Sequence, residues 1–391
     1  MWPPAPGSPQ ARALAHVAAR SVGPPVDPAL RVTLQFHPDR LYGGTPILQA
    51  LASAGVYRSQ FETGTSNGGL TAQPGGDRWN WETRIFGGAY DDAPPAERPK
   101  YGSLNFRRRA TGGAPRFGSA YFRLRPEALL RTTFCYPDSA YGPEDFGVAE
   151  RMALIPLAEH DCRRDQLDWS IEAHVHGPVR LALDVEALVL DPCYRDTDIE
   201  VLARALPCPV EWHPGFRLSI RELRRHPEYR GPEYVDLGVA LAHDGQLTPA
   251  IIGAAARAGR HHPQDLKKVW HYIARFGDLS ALEGGASVTS HRHAPGSAPG
   301  VLPANAIRGF RRKGARGLVT VGPSPRWVLP NACVPVATPA SCLAVVAWVA
   351  AIHHCGLAVR RPVPEVVRRR DAWWPNQMRR SCAPPRGGGS S

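Results

Sequence analysis

The 391-residue sequence lacks most of the short signatures that give an enzyme away. It has no Gly-x-x-x-x-Gly-Lys-Ser/Thr loop and no Gly-x-Gly-x-x-Gly between a strand and a helix, which excludes a P-loop and a dinucleotide fingerprint. No two of its eight cysteines stand in Cys-x-x-Cys spacing, so the pattern is one of scattered free thiols. Long apolar runs are also missing. The longest, Cys342 to Ile352, is too short to span a bilayer, and mean hydropathy is −0.29. The opening residues MWPPAPGSPQARALAHVAAR show no basic stretch leading into an apolar one, so no secretory signal is expected. These absences together lead us to expect a cytoplasmic protein with no membrane partner.

What the chain does have is charge, unevenly placed. The net charge is +12, yet residues 282–391 hold 15 of the 47 Lys and Arg and only 3 of the 35 Asp and Glu. Residues 1–281 carry 32 of each and are neutral. The high isoelectric point belongs to the tail, which removes most of the case for a nucleic-acid enzyme. Such a tail can bind acidic surfaces non-specifically. Its Ala, Pro, Arg and Gly composition predicts weak order.

Three segments follow: a Pro/Ala-rich start (1–29) with a short helix over Gln10–Arg20, a globular, catalytic-looking domain (30–281) and the basic tail (282–391). Within the domain RVTLQFH alternates Val32, Leu34 and Phe36 as a strand does. TPILQALASAG reads as a helix with Thr45 as N-cap and Gly55 as C-cap. The stretch VYRSQFETGTSNGGL is too polar for a core strand and too glycine-rich for a helix, and reads as a loop. Gly75 to Pro99 predicts an irregular surface excursion. YGSLNF, RFGSAYFRL and RTTFCY read as strands, and SIEAHVHG and DVEALVLDP as a further pair joined by a tight turn at Gly177-Pro178. PQDLKKVWHYIARFG places Leu266, Val269, Trp270 and Ile273 at helical spacing. The fold class expected is α+β (or α/β), a mainly antiparallel split sheet with helices in the C-terminal third.

Several residues are chemically suggestive. His37 closes a strand, where a ring nitrogen can meet a ligand. Arg58 can pair with a pyrophosphate. Glu172, His174 and His176 share one strand face, where a carboxylate can stabilise a developing cation or take a proton. A metal site built on His174 and His176 is the alternative, although no third ligand stands at a recognisable spacing and no metal is expected. Ser66 is a poor candidate for a hydrolase nucleophile.

Taken in order, the blocks FHPDR, SQFETGTSNGGLTA, GGDRWNWE, FGGAYD, RPKYGSLN, PRFGSAYFRL, FCYPDS, EAHVHGPV and KKVWHYIARFG resemble the uncharacterised bacterial family DUF3626 over about residues 30–280. More weakly, the layout resembles mono-ADP-ribosyltransferases of the His-Tyr-Glu type, which include toxins that modify DNA. The matching pieces are LQFH with His37, ILQALASAG, YGSLNF with Tyr101 and SIEAHVHGPVRLALDVEALVL with Glu172. The long insert before Tyr101 and Ser170, where many relatives carry Glu or Gln, depart from that pattern. The related Arg-Ser-Glu type would use Arg58 and Ser119. This resemblance implies NAD as substrate. Glu172 would then face the ribose whose bond to nicotinamide breaks, His37 the adenosine-side ribose, Tyr101 the nicotinamide ring and Arg58 the pyrophosphate. Gln60, Thr65, Ser66 and Asn67 would line a loop over the dinucleotide. A toxin or effector acting on an unknown acceptor is the reading this favours; a metal-dependent hydrolase and a non-catalytic nucleotide- or peptide-binding protein are the others.

Overall fold

The alternation of Val32, Leu34 and Phe36 becomes strand β1 (Val32–Phe36), one of the central strands of an eight-stranded sheet. The computed structural model describes residues 3–64 and 71–279, which belong to one compact unit. The expected tail over 282–391 lies outside the described residues. The sheet's other strands are β2 (Lys100–Leu104), β3 (Ala120–Leu124), β4 (Thr132–Tyr136), β5 (Asp145–Val148), β6 (Ile171–Val175), β7 (Val185–Leu190) and β8 (Val210–Trp212). Their spatial order is β8-β7-β3-β1-β2-β6-β4-β5, and all pairs except β7–β8 are antiparallel. The fold is α+β.

A fork runs through the middle of this sheet. β1 and β2 pair only at Val32↔Leu104 and Thr33↔Ser103, whereas β1 continues along β3 to Phe36 and β2 continues along β6 to Lys100. At the root of the fork Gly102 is the residue that fits: a Cβ there would lie 2.6 Å from Leu34 Cδ2 and 2.6 Å from the Thr33 carbonyl oxygen.

The pleat gives the two faces different characters. Val32, Leu34, Phe36, Phe122, Ile171 and Val175 build the main core, closed by Leu48 and Leu51. The latter two come from α2 (Ile47–Ala54), which ends as expected at Gly55 in the left-handed region, φ 66°. Its N-cap is Pro46; Thr45 pairs instead with Tyr42 in a two-residue ladder. The opposite face carries Thr33, Gln35, Tyr101, Ser103, Glu172, His174, Thr133 and Cys135. Part of it is covered by α1 (Pro9–Arg20) and α3 (Asp77–Phe86) through Ala13, Val17, Trp81, Ile85 and Phe86. A second core gathers α4 (Pro232–Leu241), α5 (Pro249–Ala258) and α6 (Pro263–Phe276). There α6 buries Leu266, Val269, Trp270 and Ile273, the stripe its spacing predicts.

Three expectations are corrected. Gly75–Pro99 is not merely irregular, because α3 lies inside it with five buried residues. The SIEAHVHG and DVEALVLDP strands are β6 and β7, and they are not partners: β2, β1 and β3 stand between them. After Gly177-Pro178 the chain first pairs Val179–Arg180 with Val56–Tyr57, then makes the helical turn Leu181–Asp184, so no hairpin can close. VYRSQFETG is likewise no plain loop. Val56–Tyr57 is a short strand and Gln60–Thr63 one helical turn, held by a Ser59–Glu62 capping box and ended by Gly64 at φ 62°.

Candidate functional site

α3 supplies the site's first charged side chains. Gly76 leads into it, Asp77 occupies its first turn and Gly87 ends it in the left-handed region at φ 60°. Trp81 and Ile85 are one helical repeat apart, and so are Arg78 and Glu82, so one side of the helix brings apolar and charged residues onto the polar face of the sheet. The Arg78 guanidinium sits 4.0 Å over the Tyr101 ring. Its Nε donates to Gln60 Oε1 at 3.1 Å and an Nη donates to Ser139 Oγ at 3.0 Å. Glu82, 0% exposed, accepts from Arg98 at 2.7 Å and from the Tyr101 hydroxyl at 2.9 Å. Burial pushes the Glu82 carboxyl up to about 7 despite the Arg98 charge.

Glu172 is the centre of this network. On β6 it stands opposite Ser103 on one side and Cys135 on the other. Its Oε2 accepts from the Ser139 backbone N–H at 3.1 Å and from Ser139 Oγ at 2.8 Å; its Oε1 lies 3.0 Å from His174 Nε2 and 3.8 Å from Arg78. Burial alone would raise this carboxyl. The hydrogen bond with His174 and the Arg78 charge outweigh it, helped by the Ser139 N–H, and hold Glu172 below the usual carboxylate range. Asp138, one residue before Ser139, moves the other way: burial and the Glu172 charge push it up to about 6.

The fork opens onto these groups. A cleft of about 720 Å³, its open mouth included, is lined by Gln35 from β1, Tyr101 and Gly102 from β2, and Glu172 from β6. Arg78 and Gln60 line it as well, and so do Arg116 and Lys267. Arg116 bonds Asp168 at 2.6 Å, and burial with the Arg116 charge lowers Lys267 to about 8. Two carboxyls (Glu172, ionised, and the raised Asp138), two amide side chains and three cations thus share one concave site, the composition expected where a polar ligand is positioned and charge develops.

The residues singled out from the sequence fall into three groups. Glu172, Tyr101 and Gln60 meet at the cleft. His37, Arg58 and Ser119 do not line it. His37 turns edge-on to Trp270, ring centroids 5.0 Å apart, where burial and Arg40 lower it to about 3. Arg58 is exposed, and Ser119 is buried with its carbonyl accepting from His213 Nε2 at 2.8 Å. Thr65, Ser66 and Asn67 lie outside the described residues. Gly64-Thr65-Ser66-Asn67-Gly68 does match the letters of a hydrolase nucleophile elbow, but the helical turn Gln60–Thr63 precedes it where such an elbow needs a strand.

The alternative histidine pair separates too. His176 has both ring nitrogens engaged, Nδ1 by the Tyr90 hydroxyl at 2.6 Å and Nε2 by Thr133 Oγ1 at 3.0 Å. His174 instead shares a cluster with Cys135 and Glu172, whose potential ligand atoms lie within 4.8 Å of one another. Burial raises the Cys135 thiol well above its ordinary value. Sequence reasoning missed Arg78, Ser139, Arg116 and Lys267. For Arg78 a signal existed: Gly76 and Gly87 bracket a helix-length segment with Trp81, Ile85 and Phe86 on one side.

A family model described as a protein of unknown function (DUF3626) matches residues 31–159 and 155–282. No curated protein matches the chain.

Proposed function

The chain belongs to DUF3626, a family of unknown function, and from its own cleft we propose that it is an ADP-ribosyltransferase-like enzyme that cleaves the nicotinamide–ribose bond of NAD. The observation that carries this reading is the Glu172 carboxylate, held ionised by Ser139, His174 and Arg78 in a cleft that it shares with three cations, two amides and the Asp138 carboxyl.

When the bond from C1′ to the nicotinamide nitrogen breaks, its electron pair leaves with nicotinamide and positive charge grows on the ribose. Glu172 supplies a fixed negative charge at that point and orients the sugar through its hydroxyls. The acceptor then forms the new bond to C1′ and gives up a proton. A preorganised group of this kind is typically worth about 2.7–4 kcal/mol in the transition state. Tyr101 offers an aromatic wall beside it, and Gln35 and Gln60 offer amides for hydroxyl or carboxamide groups.

The test is free nicotinamide released by the full-length chain, with Glu172→Gln beside it. The amide keeps an oxygen for the Ser139 N–H but no charge. Release that falls by roughly 10²–10³ in a folded Glu172→Gln protein supports the reading. No release from the wild-type chain, with no shift in melting temperature on adding NAD, sinks it.

One observation favours a second reading. The Cys135–Glu172–His174 cluster has the donor types that hold zinc. Stoichiometric zinc in the purified chain, lost in Cys135→Ser, would point to a metal-dependent hydrolase instead.

A further inference from the structure

The α6 side of the cleft carries more positive charge than Glu172 chemistry calls for. Lys267 and His271 stand one helical repeat apart on α6, and Lys267 lines the cleft with Arg116. Trp270 ties the helix to that wall, its Nε1 lying 3.1 Å from the carbonyl oxygens of both Pro115 and Arg116. His271 is 2% exposed, yet neither of its ring nitrogens has a hydrogen-bond partner among the described residues. The same holds for the buried Nε atoms of Arg116 and Arg230.

Arg230 is tied to the same helix by its backbone N–H, which donates to the Tyr272 hydroxyl at 3.0 Å, so four such orphans on and beside α6 need a physical account. Buried polar atoms in folded proteins are normally paired, and one left unpaired bears its full desolvation cost. The charges that act on the His271 ring are those of Arg230, Arg116, Lys267 and Lys268, all positive. Carboxylates reach this group as well: Asp168, bonded to Arg116 at 2.6 Å, also acts on Lys268, and Asp138, 3.8 Å from Arg116, acts on Lys267. Burial and mutual repulsion lower both Lys267 and Lys268. An apolar ligand would answer none of this. An anion with several acceptor oxygens answers all of it.

We propose that Arg116, Arg230, Lys267, Lys268 and His271 form a phosphate subsite at the α6 side of the cleft, one that takes the phosphate or diphosphate group of a small nucleotide-like ligand. Guanidinium forks suit paired phosphate oxygens, the two lysines add point charge, and the neutral imidazole donates from one nitrogen and accepts a ligand hydroxyl at the other. The subsite goes beyond the NAD-cleaving reading, since it would serve any phosphate-bearing ligand of this cleft.

The experiment titrates the full-length chain with inorganic pyrophosphate by calorimetry at near-physiological salt, so that the basic tail is screened. One saturable site is expected, competed by ADP and not by adenosine. Lys267→Met and Arg230→Met should each weaken it about tenfold while the melting temperature stays near wild type; His271→Phe is the more disruptive companion, and Lys267→Met, at the cleft wall, keeps the test open if that variant fails to fold. Absence of a saturable site overturns the proposal. So does a site that both substitutions leave intact, which would place the pyrophosphate on the tail. Pyrophosphate binding is read without nicotinamide release, so this subsite and the Glu172 chemistry can fail separately.

Discussion

The Arg78 guanidinium lies 4.0 Å above the ring of Tyr101 and also reaches oxygens of Glu172 at 3.8 Å and Ser139 at 3.0 Å. One side chain therefore ties the aromatic wall of the cleft to its carboxylate. Arg78→Lys keeps the charge but loses the planar stack and the forked contacts, because an ammonium presents no flat face. A cation–π contact of this kind is worth about 0.5–2 kcal/mol, so nicotinamide release should fall by around tenfold. Unchanged steady-state rates in Arg78→Lys would show that the stack is not used.

Glu82 gives the site a pH signature. Its folded-state value of about 7 lies above the ordinary 4.5, so the folded chain holds the proton more tightly than the unfolded one. Its contribution to stability is full below about pH 4.5 and is lost as pH rises through 7. Glu82→Gln cannot titrate, so its melting temperature should vary less between pH 5 and 8 than that of the wild type. Parallel melting profiles for the two proteins would refute this assignment.

His37 is depressed in the opposite sense. Burial against Trp270 lowers it to about 3, below the ordinary 6.5, so the unfolded chain takes up the proton first. The stability this contributes is present above pH 6.5 and is lost as pH falls toward 3. In NMR the His37 ring, assigned by difference against His37→Phe, should show no titration between pH 8 and 5. A midpoint near 6.5 would mean that the ring is open to solvent.

Gly102 sits at the root of the fork, where a methyl group would lie 2.6 Å from both Leu34 Cδ2 and the Thr33 carbonyl oxygen. Gly102→Ala must push β1 and β2 apart, and overpacking of this kind costs roughly 1–3 kcal/mol. Urea unfolding would show the loss. A variant as stable as wild type would mean that the fork yields without strain.

Much of the scaffold could be read from periodicity. β1 and α6 repeat their apolar residues at two and at three or four positions, and both formed where that spacing put them. The shared face of Glu172, His174 and His176 was legible for the same reason. That this face is buried was not, since alternation says which residues lie together and nothing of what covers them. α3 was harder to read because its inward side mixes Arg78 and Glu82 with Trp81, Ile85 and Phe86, and charged residues interrupt the apolar stripe that marks a docked helix, although Gly76 and Gly87 bracketed it. Arg116 and Lys267 are 151 positions apart in the chain and meet only through tertiary packing, which no local pattern records. The Ser59–Glu62 capping box was visible in the letters and passed for loop because Gly64 follows at once.

The two charged side chains on the inner side of α3 have a consequence for how the protein comes apart. Arg78 and Glu82 exchange water for partners on the sheet and its neighbouring turns: Tyr101, Glu172, Ser139 and Arg98. A half-seated helix would strand charge away from both solvent and partner, so the intermediate positions are the costly ones. Seating α3 and completing the Glu172 environment are then a single event. As denaturant rises, the exchange protection of the α3 amides and the cleft's ligand binding should vanish over the same narrow interval, leaving no population that keeps one without the other.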